Sequence, residues 1–166
     1  ARLREAMSRR SQDDITALEL AAVLGQEVDR NEWSSLCRLA AIEPSSTLID
    51  DMFRDRLLRP IDEENVDVGF VFVHAMLREA IERHAANNDR LFEHHRFCVA
   101  LVRGIDYTSA RLARHLRGAG DLHASLGPLR RSVQRAISIG DHRAADTALI
   151  EWRDTLSTMG VPSNGP

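Results

Sequence analysis

The chain contains no lysine: all 22 of its basic residues are arginine. That excludes every mechanism built on an ammonium side chain, including Schiff-base chemistry and the lysine of a phosphate-binding loop. Its two cysteines, Cys37 and Cys98, are too few for a disulfide scaffold or a cysteine-only zinc site. Aromatic residues make up only 5% and prolines number five. With 20 alanines and 19 leucines, that mix favours helices over sheets. No apolar run approaches the ~18 residues that a membrane span requires. No basic-then-apolar leader opens the chain, so a cytoplasmic setting is expected. A Gly-x-Ser-x-Gly elbow is also missing, and the pairs Asp50-Asp51 and Glu63-Glu64 have no companion group for acid–base work. A non-catalytic protein is expected.

What is present is ordinary for a globular protein. The 166 residues are 43% hydrophobic and 28% charged, enough for one or two domains. The net charge of −3 is unevenly spread. Residues 1–87 hold 11 Arg against 17 Asp and Glu, whereas residues 88–166 hold 11 against 8. Two units with different surroundings are therefore expected. The opening Ala1-Arg2-Leu3, without an initiator methionine, reads as the inside of a longer protein.

Helical periodicity runs through most of the chain. Ala1–Arg10 reads as the end of one helix. The first helix of the next domain, about Asp14–Leu24, carries Ile15, Leu18 and Ala22 on one face and stops at Gly25. Asp29 caps the next, with Trp33, Leu36, Cys37 and Ala40 at helical spacing. Pro44-Ser45-Ser46 opens a third, with Leu48, Ile49, Met52, Phe53 and Leu57 in a stripe. The period then changes to two: Val66, Val68, Phe70 and Phe72 alternate with Asp67, Gly69, Val71 and Val73. Together with Leu58–Ile61 this predicts one β-hairpin and no other sheet. His74 begins a further helix with Met76-Leu77, Ala80-Ile81 and His84-Ala85. Three helices, a hairpin and a closing helix are the order of a winged-helix domain over 12–87.

After Asn87-Asn88-Asp89 the pattern is wholly helical. Leu91, Phe92, His95, Val99 and Val102 form one stripe, and Ala110, Ala113, Leu116 and Ala119 another. Gly120-Asp121 and Gly140-Asp141 recur 20 residues apart. Each pair suits a left-handed glycine ending one helix and an aspartate capping the next. Between them run Leu122, Leu126, Leu129, Val133 and Ala136 or Ile137, with a break or kink expected at Gly127-Pro128. Ala145, Ala148, Leu149, Trp152 and Leu156 follow. These are the marks of antiparallel, tetratricopeptide-like helices over 88–158, with a tail at 159–166. The fold class expected is mainly α.

Leu18-Glu19-Leu20-Ala21-Ala22-Val23-Leu24-Gly25, Leu57-Leu58-Arg59-Pro60 and Phe70-Val71-Phe72-Val73-His74-Ala75-Met76-Leu77-Arg78-Glu79-Ala80 resemble STAND-class regulatory ATPases, in the region after their nucleotide-binding core. Large ATP-binding LuxR-type transcription regulators and ATPase modules fused to bacterial cyclases and kinases belong to this class. Leu112-Ala113-Arg114-His115-Leu116 and the Gly-Asp segment resemble the tetratricopeptide-like helices that follow. The resemblance implies that residues 1–11 end a helical lid. It also implies a winged helix closing on ADP in a P-loop core, with Mg²⁺ and ATP or ADP bound there and none by this chain. His74 would approach the nucleotide phosphates, and Arg78, one turn on, would share its face. The helical repeats would sense a protein or a small molecule. The chain departs from a complete member in having no Gly-x-x-x-x-Gly-Lys-Ser/Thr.

Other features carry weaker expectations. Asp50, Asp51 and Asp55 on the third helix, and Asp62-Glu63-Glu64 at the wing, oppose DNA binding, because phosphates repel both. Arg111, Arg114, Arg117, Arg130 and Arg131 could meet an acidic partner, against the plainer reading of a solvated helix face. His84, His94, His95 and Cys98 lack the second spaced pair of a four-ligand metal site and read as core or boundary residues. A free-standing helical adaptor is the alternative to the switch component.

Overall fold

The structure is a computed structural model and describes residues 7–105 and 109–161. It is mainly helical, with one small sheet. In chain order the elements are α1 (Gln12–Leu24), β1 (Glu27–Asp29), α2 (Arg30–Leu39), α3 (Leu48–Arg54), β2 (Leu58–Pro60), β3 (Gly69–Phe72), α4 (Ala75–Asn87), α5 (Leu91–Val102), α6 (Ser109–Gly118), α7 (Leu122–Ser138) and α8 (His142–Thr158). The chain divides into two compact units, 1–97 and 98–166. Among the described residues no helix is long and apolar enough to cross a membrane.

In the first unit α1 is the centre. Ser11 caps it by accepting from the Asp14 N–H, and every residue from Ala17 to Leu24 is buried. A helix apolar on all sides belongs inside a core rather than on its surface. α2 and α4 pack against it. The Trp33 indole N–H donates to the Ala17 carbonyl at 2.8 Å, and the Trp33 ring meets Phe70 edge to face at 5.6 Å. Buried Asp14 accepts from the Ser45 N–H at 2.7 Å. Arg10 and Asp51 pair at 2.8 Å, tying the segment before α1 to α3.

The sheet differs from the expected lone hairpin. It has three antiparallel strands in the order β1-β3-β2. β1 escaped the periodicity because it is three residues with one apolar side chain, Val28, and its partner lies 40 residues away. β3 is also shorter than expected. Val66 and Val68 are 45% and 40% exposed in the turn before it, and all four residues of β3 are buried. A middle strand buried on both faces has no alternation to show. Gly69 admits the close approach of β1: a Cβ there would collide with the Val28 carbonyl oxygen and with Ile61 Cδ1.

α3 ends at Arg54, before Leu57. Arg56 takes a left-handed φ of 57°, and the Leu57 N–H returns to the Met52 carbonyl at 3.0 Å. α2 ends in the same way on exposed Ala41, at φ 54°, with the Ile42 N–H bonded to the Cys37 carbonyl. Asp29 caps α2 as expected, accepting from the N–H groups of Asn31 and Glu32.

In the second unit α6, α7 and α8 pack in sequence. Three-residue connections, 119–121 and 139–141, make neighbours antiparallel. Both Gly-Asp pairs perform the expected double function. Gly120 and Gly140 each have φ 76°. Asp121 accepts from the Ala124 N–H at 3.1 Å, and Asp141 from the Ala144 N–H at 3.0 Å. A third such turn follows 20 residues on at Gly160, φ 74°. α7 runs unbroken through Pro128, against the expected break. Val99, Val102, Leu112 and Leu116 form a core cluster. Several residues read as packed are exposed instead: Met76 80%, Phe92 54%, Ile137 59% and Leu149 45%. Ala136, rather than Ile137, faces inward. Residues 1–6 of the expected lid end (1–11) and residues 162–166 of the expected tail (159–166) lie outside the described residues.

Candidate functional site

His74 stands at the N-cap position of α4, and its side chain makes no capping hydrogen bond. It is exposed. The backbone that delivers it is held on both sides. The Phe72 N–H donates to the Gln26 carbonyl, and the Val73 N–H donates to the Leu57 carbonyl. The Gln26 side-chain amide also donates to the Phe72 carbonyl, while its own Oε1 is buried without a partner. An exposed imidazole at the positive end of a 13-residue helix is suited to an anionic group.

Arg78 does not join His74. Its guanidinium donates to Glu82 at 2.6 Å and to the Ala22 carbonyl at 3.2 Å. It fastens α4 to the end of α1, with a side chain only 19% exposed. The structure therefore leaves one of the two residues accessible and commits the other to the fold.

The densest polar cluster lies elsewhere in this unit, around Glu19. The carboxylate is fully buried and receives four donors. Oε1 accepts from His84 Nδ1 at 2.7 Å and Arg90 Nη2 at 2.6 Å. Oε2 accepts from Arg90 Nε at 2.9 Å and His94 Nε2 at 2.9 Å. These fill the acceptor capacity of a carboxylate. Since an ionised carboxylate only accepts, His84 carries its proton on Nδ1 and His94 on Nε2 in their neutral forms. Burial pushes the Glu19 carboxyl up. Hydrogen bonds from His94, Arg90 and His84, with the charge of Arg90, outweigh burial and hold it down at about 2. The same contact raises Arg90 above its ordinary value.

Local structure puts these groups in reach. Asp89 adopts a left-handed φ of 57°, and the Arg90 N–H returns to the Ala85 carbonyl at 2.9 Å. That tight reversal separates α4 from α5. Arg90 and His94, four apart, then point the same way. Glu19 thus joins α1, α4 and the start of α5. His84 and His94, two of the residues weighed for a metal, are donors to this carboxylate. Among the described residues no group of three or more His, Cys, Asp or Glu is arranged to hold a metal ion. His84 is 40% exposed and lines a groove of about 440 Å³ with Met7, Ile15, Ala80 and Arg83.

Arg117 pairs with Glu151 at 3.2 Å and so serves the packing of α6 near α8. Arg114, Arg130 and Arg131 are exposed, and Arg111 is half-buried.

Glu19 and Gln26 are absent from the residues singled out in the sequence. One signal for Glu19 was visible: it is the only charge between Ala17 and Gly25 in an otherwise apolar run. Comparisons with protein-family models, with curated proteins and with solved structures find no match to this chain.

Proposed function

We propose that this chain is a non-catalytic regulatory part of a STAND-type signalling ATPase. Its first unit is a winged helix that closes on ADP held by a P-loop core outside these residues. The single observation that carries the reading is His74: accessible, its side chain making no capping hydrogen bond, and set at the start of a helix by a strand end anchored on both sides. The element order α1-β1-α2-α3-β2-β3 with sheet order β1-β3-β2 is that of a winged helix and supports it. The nucleotide and Mg²⁺ belong to the core, since a chain without lysine cannot supply the phosphate-loop lysine.

The second unit is an antiparallel helical array that reads a protein or small-molecule signal. Two of its steps take about 40 residues, against about 34 in a tetratricopeptide unit, so it is the longer kind of helical pair. DNA is a poor partner for the first unit. Exposed Asp50 lies on α3 and exposed Asp55 just past its end, and exposed Asp62, Glu63 and Glu64 lie in the β2–β3 turn, where phosphates would have to approach.

The test is ADP affinity of the longer gene product with and without His74→Ala. The expected result is a loss of at least about tenfold, the worth of one charge-assisted hydrogen bond. Unchanged affinity, or a gene product with no P-loop sequence, overturns the proposal and leaves a helical adaptor as the better reading.

A further inference from the structure

We propose that the groove beside His84 binds a small amphipathic anion, with its negative group at Arg83, His84 and Asn87 and its hydrocarbon body on Met7, Ile15 and Ala80. This goes beyond the nucleotide reading and does not depend on it, because the groove engages the second half of α4, whereas His74 stands before its first turn.

All six residues belong to the first unit. The groove holds about 440 Å³, within the range of about 300–1,000 Å³ usual for small-molecule sites. Such sites are mostly apolar, with a few polar groups converging at one place. Here Met7 is buried and Ile15 and Ala80 are half-buried, and they supply the apolar wall. The polar end comes from α4. Arg83 and Asn87 are four apart and so are neighbours on that helix. Both are exposed. Neither side chain has a hydrogen bond or ion pair among the described residues, although Arg78 and Arg90 are both committed to carboxylates.

His84 completes the polar end. Its Nδ1 is fixed as a donor to the Glu19 carboxylate at 2.7 Å, which leaves Nε2 for the groove. An imidazole held in this way donates from Nε2 only when it carries a second proton. Binding of an anion therefore takes up a proton. The titratable and charged groups around this ring are Glu19 of α1, Arg90 and His94, and Arg83 of α4 itself. The charges of Glu19 and Arg90 offset each other, so the anion supplies the charge that favours the protonated ring. Arg83 offers a planar fork that matches a carboxylate. A cation would meet Arg83 with like charge, and a neutral guest would leave the guanidinium facing water.

Octanoate is the probe, with octanol and octylamine as its neutral and cationic counterparts, each titrated into the chain and followed by amide NMR. Octanoate is expected to shift the signals of Ile15, Ala80, Arg83, His84 and Asn87, with a Kd of about 1 mM or tighter. Octanol and octylamine are expected to bind at least about tenfold more weakly. The affinity for octanoate, which stays ionised throughout, is expected to be at least about threefold higher at about pH 6 than at about pH 8. Arg83→Gln is expected to weaken octanoate by at least about tenfold and to leave the urea midpoint unchanged, because this side chain has no partner in the fold. A chain that leaves octanoate unbound, shifts confined to other residues, or octanol bound as tightly overturns the proposal. So does an affinity that ignores Arg83→Gln, or one that is the same at both pH values.

Discussion

Glu19 and Arg90 stand 71 residues apart in sequence and meet through two hydrogen bonds, of 2.9 and 2.6 Å. Removing a carboxylate from water is costly, and an isolated one would not remain ionised here. The paired guanidinium, with a histidine on each oxygen, reverses that balance. A polar group at the centre of an apolar helix thus becomes a point of attachment for two further helices.

The first prediction concerns pH. The folded Glu19 carboxyl titrates at about 2, against 4.5 for the ordinary value. A depressed folded value means that the stabilisation is present above the unfolded value and lost as pH falls towards the folded one. Linkage gives it a size of about 3 kcal/mol. Urea unfolding is expected to show Glu19→Gln less stable than wild type by about that amount at pH 6. The gap should narrow steadily between about pH 4.5 and pH 2. A gap independent of pH would show that the carboxylate charge is not what matters.

The second concerns the shape of the cation. Arg90→Lys keeps the charge and loses the planar fork, so only one Glu19 oxygen can be reached well. The variant is expected to lose about 1–2 kcal/mol in thermal or urea unfolding. Combined with Glu19→Gln, the loss should be far from additive, since the two side chains share one contact.

The third tests the strand approach at Gly69. Gly69→Ala places a methyl group against the Val28 carbonyl oxygen, a backbone atom that cannot swing aside. Overpacking of this kind costs about 1–3 kcal/mol. A lowered urea midpoint is expected, and a neutral substitution would show that β1 and β3 lie farther apart.

The fourth prediction is a gain. Ala41 is exposed and left-handed, at φ 54°, a conformation that costs a residue with a Cβ about 1 kcal/mol. Ala41→Gly is expected to raise stability by about 0.5–1 kcal/mol while touching no neighbour. A fall in the melting temperature would contradict the turn geometry.

The features that could be read from sequence are those settled by near neighbours. Asp29, Asp121 and Asp141 cap helices through amides two or three residues away. The left-handed turns at Gly120 and Gly140 are equally local. What escaped is decided by distant chain. β1 exists because β3 comes beside it, and Glu19 is stabilised by partners 65 to 75 residues further on. The apolar stripes were legible, but their width was not. Met76, Phe92 and Leu149 continue a helical pattern past the point where a neighbouring element covers it. Hydrophobicity marks a face that can be covered, and it does not say how far the cover extends. His74 was singled out by the resemblance alone, and the commitment of Arg78 to Ala22 and Glu82 needed three dimensions.

The turns at Gly120, Gly140 and Gly160 fall at equal intervals and share one backbone geometry. α7 and α8 therefore each run between two turns of one geometry. A twenty-residue block can be copied or deleted between such joints with every remaining joint intact. Length in this part of the molecule is quantised, and an engineer wishing to extend or shorten it has natural places to cut.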